Sequence, residues 1–98
     1  MPATLVVTAT PNMNSMEDMQ AYLSGVTLLL IANGGELVYR GKTSKMIKGS
    51  PGFDMVLIMS FENQEVIEKI FNSAEYAVLL PLCDKGFKHI DISVTLAM

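Results

Sequence analysis

The stretch Phe61-Glu-Asn-Gln-Glu-Val-Ile-Glu-Lys-Ile-Phe-Asn-Ser-Ala-Glu-Tyr76 decides the fold of this chain. It ends an apolar strand at Phe61 and continues as a helix over Asn63–Phe71, in which four apolar side chains recur on one side. Asn72 is the predicted cap of a further short helix, with Glu75 three positions later as in a capping box. The stretch therefore indicates a strand followed by a broken helical layer, and it contains no recognisable reaction chemistry.

The sequence before this stretch predicts a strand and then a helix. Thr4–Thr10 is rich in β-branched residues and ends before Pro11, as a first strand would. We expect Asn14 or Ser15 to cap the following helix. The run Asn33-Gly34-Gly35 should end it, because glycine readily adopts the left-handed conformation of a C-terminal cap. The buried stripe of this helix is predicted to consist of Met16, Met19, Leu23, Val26 and Leu30.

Two further strands are predicted before the opening stretch is reached. Gly35–Lys42 alternates in polarity, with Leu37 and Tyr39 on one face and Val38 and Arg40 on the other. Phe53–Phe61 is the third strand. The segment between them, 42–52, contains Gly49-Ser-Pro-Gly52 and is predicted to be a long hairpin connection.

After the opening stretch, the sequence predicts an interrupted helix and a fourth strand. Pro81 must interrupt the helix that begins near Asn72, because proline lacks a backbone N–H, and Gly86 is predicted to stop it. Lys88–Leu96 is the last strand. The order β-α-β-β-α-β predicts one ferredoxin-like α+β domain over residues 1–98, with a four-stranded antiparallel sheet and the helices on one face.

The third strand is apolar on both faces, which predicts association. Met55, Leu57 and Met59 lie on one face, and Val56 and Ile58 lie on the other. A sheet covered by helices on one side should alternate between apolar and polar residues. Each large apolar side chain left in water rather than buried costs about 1.5–3 kcal/mol. We therefore expect a homodimer in which twofold symmetry packs the two uncovered sheet faces together.

The bulk properties narrow the functional classes. A chain of 98 residues with a net charge of −3 does not suit nucleic-acid binding, which needs a basic surface for the phosphates. The apolar runs are too short to span a membrane, and no signal peptide is evident. The single cysteine, Cys83, cannot form an internal disulfide and lacks a neighbouring cysteine for redox or zinc chemistry. We therefore expect a cytoplasmic protein without a cofactor or a metal.

The segments Asn33-Gly-Gly-Glu-Leu-Val-Tyr-Arg-Gly41, Val56-Leu-Ile-Met-Ser-Phe61 and Asn72-Ser-Ala-Glu-Tyr76 carry a family resemblance. In order and spacing the chain resembles the uncharacterised family called domain of unknown function 1330, in the dimeric α/β-barrel superfamily. The resemblance implies a homodimer whose two sheets form a barrel, with the helices outside and a cavity between sheet and partner. The superfamily includes small monooxygenases, haem-degrading proteins and ligand binders, so the fold assigns no activity.

Two departures from the family pattern affect what the resemblance implies. The family usually has an arginine at the position of Cys83, so any ligand-binding role of that arginine does not carry over to this chain. The first helix also starts with Pro11-Asn-Met-Asn-Ser15 rather than with the family's Asp-Pro sequence.

The last strand offers candidate site residues. His89, Asp91 and Ser93 alternate with aliphatic residues and therefore share one face. His89 and Asp91 can form a proton donor with its orienting carboxylate, with His89 as the acid or base. A solvated edge strand would show the same pattern. As a metal site the pair lacks an obvious third ligand.

Arg40 is the other candidate, because it aligns with the arginine of an Arg-Gly motif in the resembling family. Its guanidinium is suited to a carboxylate or a phosphate. Alternatively, it pairs with Glu36 on the same strand face. Together with Lys42, Lys45 and Lys48 it forms a cationic stretch. That stretch is either a solvated hairpin or a rim that attracts an anionic ligand.

These observations lead to three functional hypotheses. The preferred one is a homodimer that binds a small organic ligand, anionic or neutral, between the sheet and the partner through Arg40, His89, Asp91 and Ser93. The second is an enzyme resembling cofactor-independent monooxygenases or isomerases, with His89 as acid or base. The third is a structural or interaction module without a ligand.

Overall fold

The computed structural model describes residues 2–50 and 52–98, so Pro51 of the predicted hairpin connection lies outside the described residues. The elements follow the predicted order, with a 3₁₀ helix (Met13–Ser15) before the first α-helix. Their bounds are β1 Ala3–Pro11, α1 Met16–Ala32, β2 Glu36–Lys42, β3 Met55–Phe61, α2 Gln64–Phe71, α3 Ala74–Ala77, α4 Leu80–Gly86 and β4 Phe87–Leu96.

The four strands form one antiparallel sheet in the order β2-β3-β1-β4. β1 is central and pairs with both β3 and β4, so that Leu5 lies between Met59 and Val94. The predicted ferredoxin-like α+β fold is confirmed by this order and connectivity.

The core lies between the helices and one face of the sheet. Leu5, Leu30, Met59 and Ile67 are its largest fully buried side chains. The opposite face, here called the open face, carries Val6, Val56 and Ile58 among threonines and serines, and these three side chains are only partly buried. Both faces of β3 are therefore apolar, as the sequence predicts.

The first helix starts differently from the prediction. Asn12 caps the 3₁₀ helix, and its side chain accepts a hydrogen bond from the backbone N–H of Asn14 at 3.1 Å. Ser15 occupies the N-cap position of α1, but its side chain makes no capping hydrogen bond. At the other end, Gly34 has a φ of 91°, which confirms the predicted left-handed termination.

The capping prediction for the second helical layer was wrong by one residue. Ser73, not Asn72, caps α3, because its hydroxyl accepts a hydrogen bond from the N–H of Tyr76 at 3.2 Å. Pro81 lies in the first turn of α4, where a missing N–H costs no helical hydrogen bond. The helical layer is therefore broken ahead of Pro81, as the sequence predicts.

The face assignment within β2 was also wrong, because the strand contains a β-bulge. Leu37 is opposite Met59 and Tyr39 is opposite Ile58, so Val38 is the extra residue. After the bulge, Arg40 lies opposite Leu57 on the helix-facing side, whereas Glu36 and Tyr39 lie on the open face. Arg40 and Glu36 therefore do not share a face, which excludes the pairing considered from the sequence.

Candidate ligand-binding site

A partly enclosed cavity of about 750 Å³ lies between α1 and the helix-facing side of the sheet. Pockets that bind small molecules have volumes of about 300–1,000 Å³ and are mainly apolar. All four strands contribute to the wall, together with α1, the 3₁₀ helix and the end of α2. Four methionines line this cavity, and their flexible thioethers adapt to ligands of different shape: they are Met13, Met16, Met19 and Met55.

The β2 end of the cavity is cationic. Arg40 and Lys42 both line the cavity, and their strand partners Leu57 and Met55 place them on the helix-facing side. Within residues 2–50 and 52–98 neither cation forms a salt bridge. Arg40 and Lys42 are therefore available to bind an anionic group at the cavity.

Two further polar residues lie next to these cations. The N–H of Thr43 donates to the carbonyl of Asp54 at 2.8 Å, and the N–H of Asp54 donates to the carbonyl of Ala9 at 2.9 Å. These bonds hold the end of the β2–β3 hairpin against β1. The Thr43 hydroxyl is buried and has no hydrogen-bond partner among the described residues. Because a buried unpaired hydroxyl is costly, it is a site where a ligand would restore a hydrogen bond.

Another part of the wall is Tyr22, one member of a buried tyrosine pair. The hydroxyls of Tyr22 and Tyr76 are 2.9 Å apart, and both side chains are buried. Tyr22 lines the cavity and also packs edge-to-face on Phe87, with ring centroids 5.6 Å apart. Tyr22 therefore presents a ring to the cavity, while its hydroxyl already has a partner.

The environment of this pair keeps its acidic groups protonated. Burial raises the pKa of Tyr22 far above that of a free tyrosine, and the hydrogen bond to Tyr76 raises it further. Burial likewise raises the pKa of the Tyr76 hydroxyl and of the adjacent Cys83 thiol, although contact with Tyr22 lowers both in part. Cys83 is buried, and its raised pKa makes the thiol a neutral packing group at neutral pH rather than a nucleophile.

The other predicted site residues lie on the open face. The His89 Nε2 and Asp91 Oδ2 atoms are 2.8 Å apart, as expected for a histidine with an orienting carboxylate. Their side chains are 49% and 68% exposed. The Ser93 hydroxyl contacts the carbonyl of Val6 at 3.4 Å. Alternation along β4 turns these residues away from the cavity, whose wall receives Ile90 and Ile92 instead.

The structure therefore separates the residues that the sequence grouped together. Among the predicted residues, Arg40 lines the cavity and His89, Asp91 and Ser93 do not. This cavity lies on the α1 side of the sheet, and the cavity expected between the sheet and a partner stays a prediction. That His89, Asp91 and Ser93 bind a ligand stays a prediction.

The sequence reasoning missed several cavity residues for identifiable reasons. Tyr22 follows Met19 by three positions and precedes Val26 by four, so its place in the buried stripe was detectable. The sequence placed Lys42 in a cationic stretch but did not identify it as a site residue. Thr43 has no such signal, because its hydroxyl becomes buried only through the hairpin's contact with β1.

Membrane-spanning helices and clusters of metal ligands would indicate other classes of function. No helix of the described chain is long and apolar enough to cross a membrane. In the described ranges, no three His, Cys, Asp or Glu side chains are grouped as metal ligands would be.

Comparison with known proteins gives a family and a fold. The model of the family "Domain of unknown function (DUF1330)" matches residues 3–94. No curated protein matches the sequence significantly. A protein of unknown function from Rhodopseudomonas palustris is similar in structure, with a TM-score of 0.82 and 13% identity over 99% of this chain and 82% of that one.

Two other solved structures extend this comparison. A dimeric ferredoxin-like protein of unknown function from Jannaschia sp. CCS1 has a TM-score of 0.76 and 10% identity, over 99% of this chain and 100% of that one. SnoaB, a cofactor-independent oxygenase from Streptomyces nogalater, has a TM-score of 0.70 and 9% identity, over 99% and 93%. At such low identity these likenesses show the fold alone.

Proposed function

The chain belongs to the DUF1330 family, and from this premise we propose that it binds a small organic ligand in the cavity between α1 and the sheet. The observation that carries the proposal is the cavity itself. The interior of a folded domain is normally close-packed, with few voids larger than a water molecule. Here about 750 Å³ stays open beside unpaired cations of the described chain. Such an unfilled space costs stability, and a ligand-binding function would explain why it is retained.

The wall composition supports binding rather than catalysis within this cavity. Its tyrosine is hydrogen-bonded and its nearest thiol is held protonated. The groups left for a ligand include Arg40, Lys42, the exposed Asp54 and the Thr43 hydroxyl. Among the described residues, no side-chain hydrogen bond orients any of these four as the bond to Asp91 orients His89. We therefore place the protein among ligand binders.

Filling the cavity tests this proposal. Leu23 lines the cavity, so Leu23→Trp should occupy part of it and weaken binding of a neutral apolar dye such as Nile red by about tenfold or more, as the loss of apolar contact area predicts. Fluorescence titration measures this. Leu28→Trp is the matched control, because Leu28 is on the same helix, 71% exposed and outside the cavity wall. Failure of the wild type to bind, or equal binding by the Leu23 variant, would overturn the proposal.

We also propose that the chain forms a homodimer through the open face. Val6, Ile58 and Tyr39 lie side by side on three adjacent strands of this face, as the register pairs them. Tyr39 is 55% exposed in the single chain. The structurally similar protein from Jannaschia sp. CCS1 is described as dimeric. Two sheets packed in this way would form the barrel that the sequence resemblance implies.

Light scattering after size-exclusion chromatography tests the dimer. The wild type should have about twice the chain mass of 10.7 kDa. Ile58→Glu should dissociate it, because a carboxylate would be desolvated without a partner at the centre of the interface. Leu28→Glu, on the outer side of α1, makes the same change away from the open face and should stay dimeric. A monomeric wild type contradicts the proposal.

One observation favours a second candidate function. The hydrogen bond between His89 and Asp91 orients the imidazole, as an acid–base catalyst requires. In the proposed dimer this pair would lie between the two sheets, so a substrate bound there would be processed apart from the α1 cavity. Chemical change of a bound ligand by the wild type and its loss in His89→Ala would support this enzyme. A ligand recovered unchanged supports binding alone. A cytoplasmic location stays a prediction from the sequence.

A further inference from the structure

The cavity extends across the whole width of the sheet. Its wall includes Arg40 on β2, Leu57 on β3, Val7 on β1 and Ile92 on β4. These strands occur in that spatial order. Adjacent strands are about 4.8 Å apart, so three intervals give a length of roughly 14 Å between the outer strands. A ligand that spans this width therefore lies across the strands.

The two ends of this length differ in charge. Arg40 and Lys42 are at the β2 end, where the exposed Asp54 also contributes to the wall, which leaves a formal excess of one positive charge. At the β4 end the wall consists of Ile90, Ile92 and Phe87. The polarity of the cavity thus changes from cationic to apolar across the sheet, from β2 to β4.

We propose that the ligand is an amphipathic monocarboxylate with an apolar body about 14 Å long, a length that corresponds to roughly twelve extended covalent bonds. This inference rests on the proposed binding function. The carboxylate is bound by the guanidinium of Arg40 and the ammonium of Lys42, which suit it in charge and hydrogen bonding. The apolar body lies along the methionine-rich wall and ends against Ile90 and Ile92.

Straight-chain carboxylates from hexanoate to hexadecanoate, used below micelle-forming concentrations, test the length. Affinity should rise up to about fourfold per added CH₂ group, the fold-change that corresponds to about 0.8 kcal/mol. The rise should end near twelve carbons. Ile92→Phe should move that limit to shorter chains, because its ring fills the β4 end. Affinity that does not depend on length, or a limit unchanged in this variant, would overturn the proposed orientation.

Matched alcohols test the carboxylate. Dodecanoate should bind at least tenfold more tightly than dodecanol, and the double variant Arg40→Gln and Lys42→Gln should remove this preference while still binding the alcohol. Lys48→Gln is the control, since Lys48 belongs to the same cationic stretch and is outside the cavity wall. Equal affinity for dodecanoate and dodecanol would contradict the proposed carboxylate group but would still support ligand binding in the cavity. If neither binds but Nile red does, the ligand class is wrong and only the cavity proposal survives.

Discussion

Among single residues, two glycines differ in what a Cβ atom added to them would contact. A Cβ atom on Gly86 would lie 2.7 Å from both the Cα and the N atoms of Met19, whereas one on Gly52 would lie 2.8 Å from the Cγ atom of Met46. The first neighbour is backbone within α1 and is fixed by its helix. The second is a flexible side chain. Gly86 therefore permits α4 to approach α1 and so shapes the helical side of the cavity.

Gly86→Ala should lower the free energy of unfolding by about 1–3 kcal/mol, the usual effect of overpacking. Gly52→Ala is the control and should change it by less than about 0.5 kcal/mol, because the Met46 side chain can rotate away. Urea unfolding of both variants measures this difference. Equal stability of the two variants would mean that α1 and α4 are not in the close contact described above.

At the scale of elements, the helical break between α2 and α3 depends on one hydroxyl. Ser73 accepts from the N–H of Tyr76, and its hydroxyl donates to the carbonyl of Ile70 at 2.6 Å. It therefore ties the end of one helix to the start of the next. Asn72 makes no side-chain hydrogen bond in the described structure, although the sequence made it the more obvious cap.

Ser73→Ala should lower the free energy of unfolding by about 1–2 kcal/mol through loss of the cap. Asn72→Ala should cost less than about 0.5 kcal/mol, because its side chain has no partner to lose. Thermal or urea unfolding of the two variants distinguishes these assignments. A larger loss for the Asn72 variant would restore the cap predicted from the sequence.

The strands show how much of this fold the sequence predicts. Alternation in β1, β3 and most of β4 was sufficient, because it places Leu5, Met59 and the partly buried Val94 on the helix side. The register of the β1–β4 pair shifts only near its end, between Thr10 and Pro11. In β2 the period is interrupted, and the local sequence Leu37-Val38-Tyr39 gives no sign of where. An extra residue in a strand depends on pairing with its neighbour, which is information that one strand does not contain.

At the scale of the whole molecule, the buried phenol and thiol groups couple stability to pH. The pKa values of Tyr22, Tyr76 and Cys83 are raised on folding, mainly by burial. In the unfolded chain these groups lose their protons near pH 9 for the thiol and pH 10 for the phenols. Between those values and the higher folded pKa values, the folded state holds more protons, so stability falls as pH rises.

Raising the pH from 7.5 to 10.5 should therefore lower the free energy of unfolding, with about 1 kcal/mol of the loss due to Tyr22. The double variant Tyr22→Phe and Tyr76→Phe should lose less over this range. At pH 7.5 it should be nearly as stable as the wild type, since both hydrogen-bond partners are removed together. Urea unfolding at the two pH values is the measurement. An unchanged pH dependence in the double variant would assign the effect to other groups.

The candidate site was harder to predict than the fold, because its position depends on how the whole molecule packs. Arg40 was identified because its residue type suits an anion, but its companions were chosen from β4, where His89 and Asp91 share a face. That choice assumed that the cavity lies on the open face. Which side of a sheet retains unfilled space depends on how α1 packs across all four strands, and no local pattern in the sequence reports it.

The extra residue at Val38 has a consequence for the relatives of this chain. In a relative that kept every residue of β2 but paired them without this bulge, each side chain beyond that point would exchange faces. Its tyrosine would then lie on the α1 side of the sheet, and its arginine would lie on the open face. Two relatives with the same Tyr-Arg-Gly sequence would thus present different side chains to the cavity. An alignment that matches these letters would conceal that change, so the strand register must be compared before the two cavities are equated.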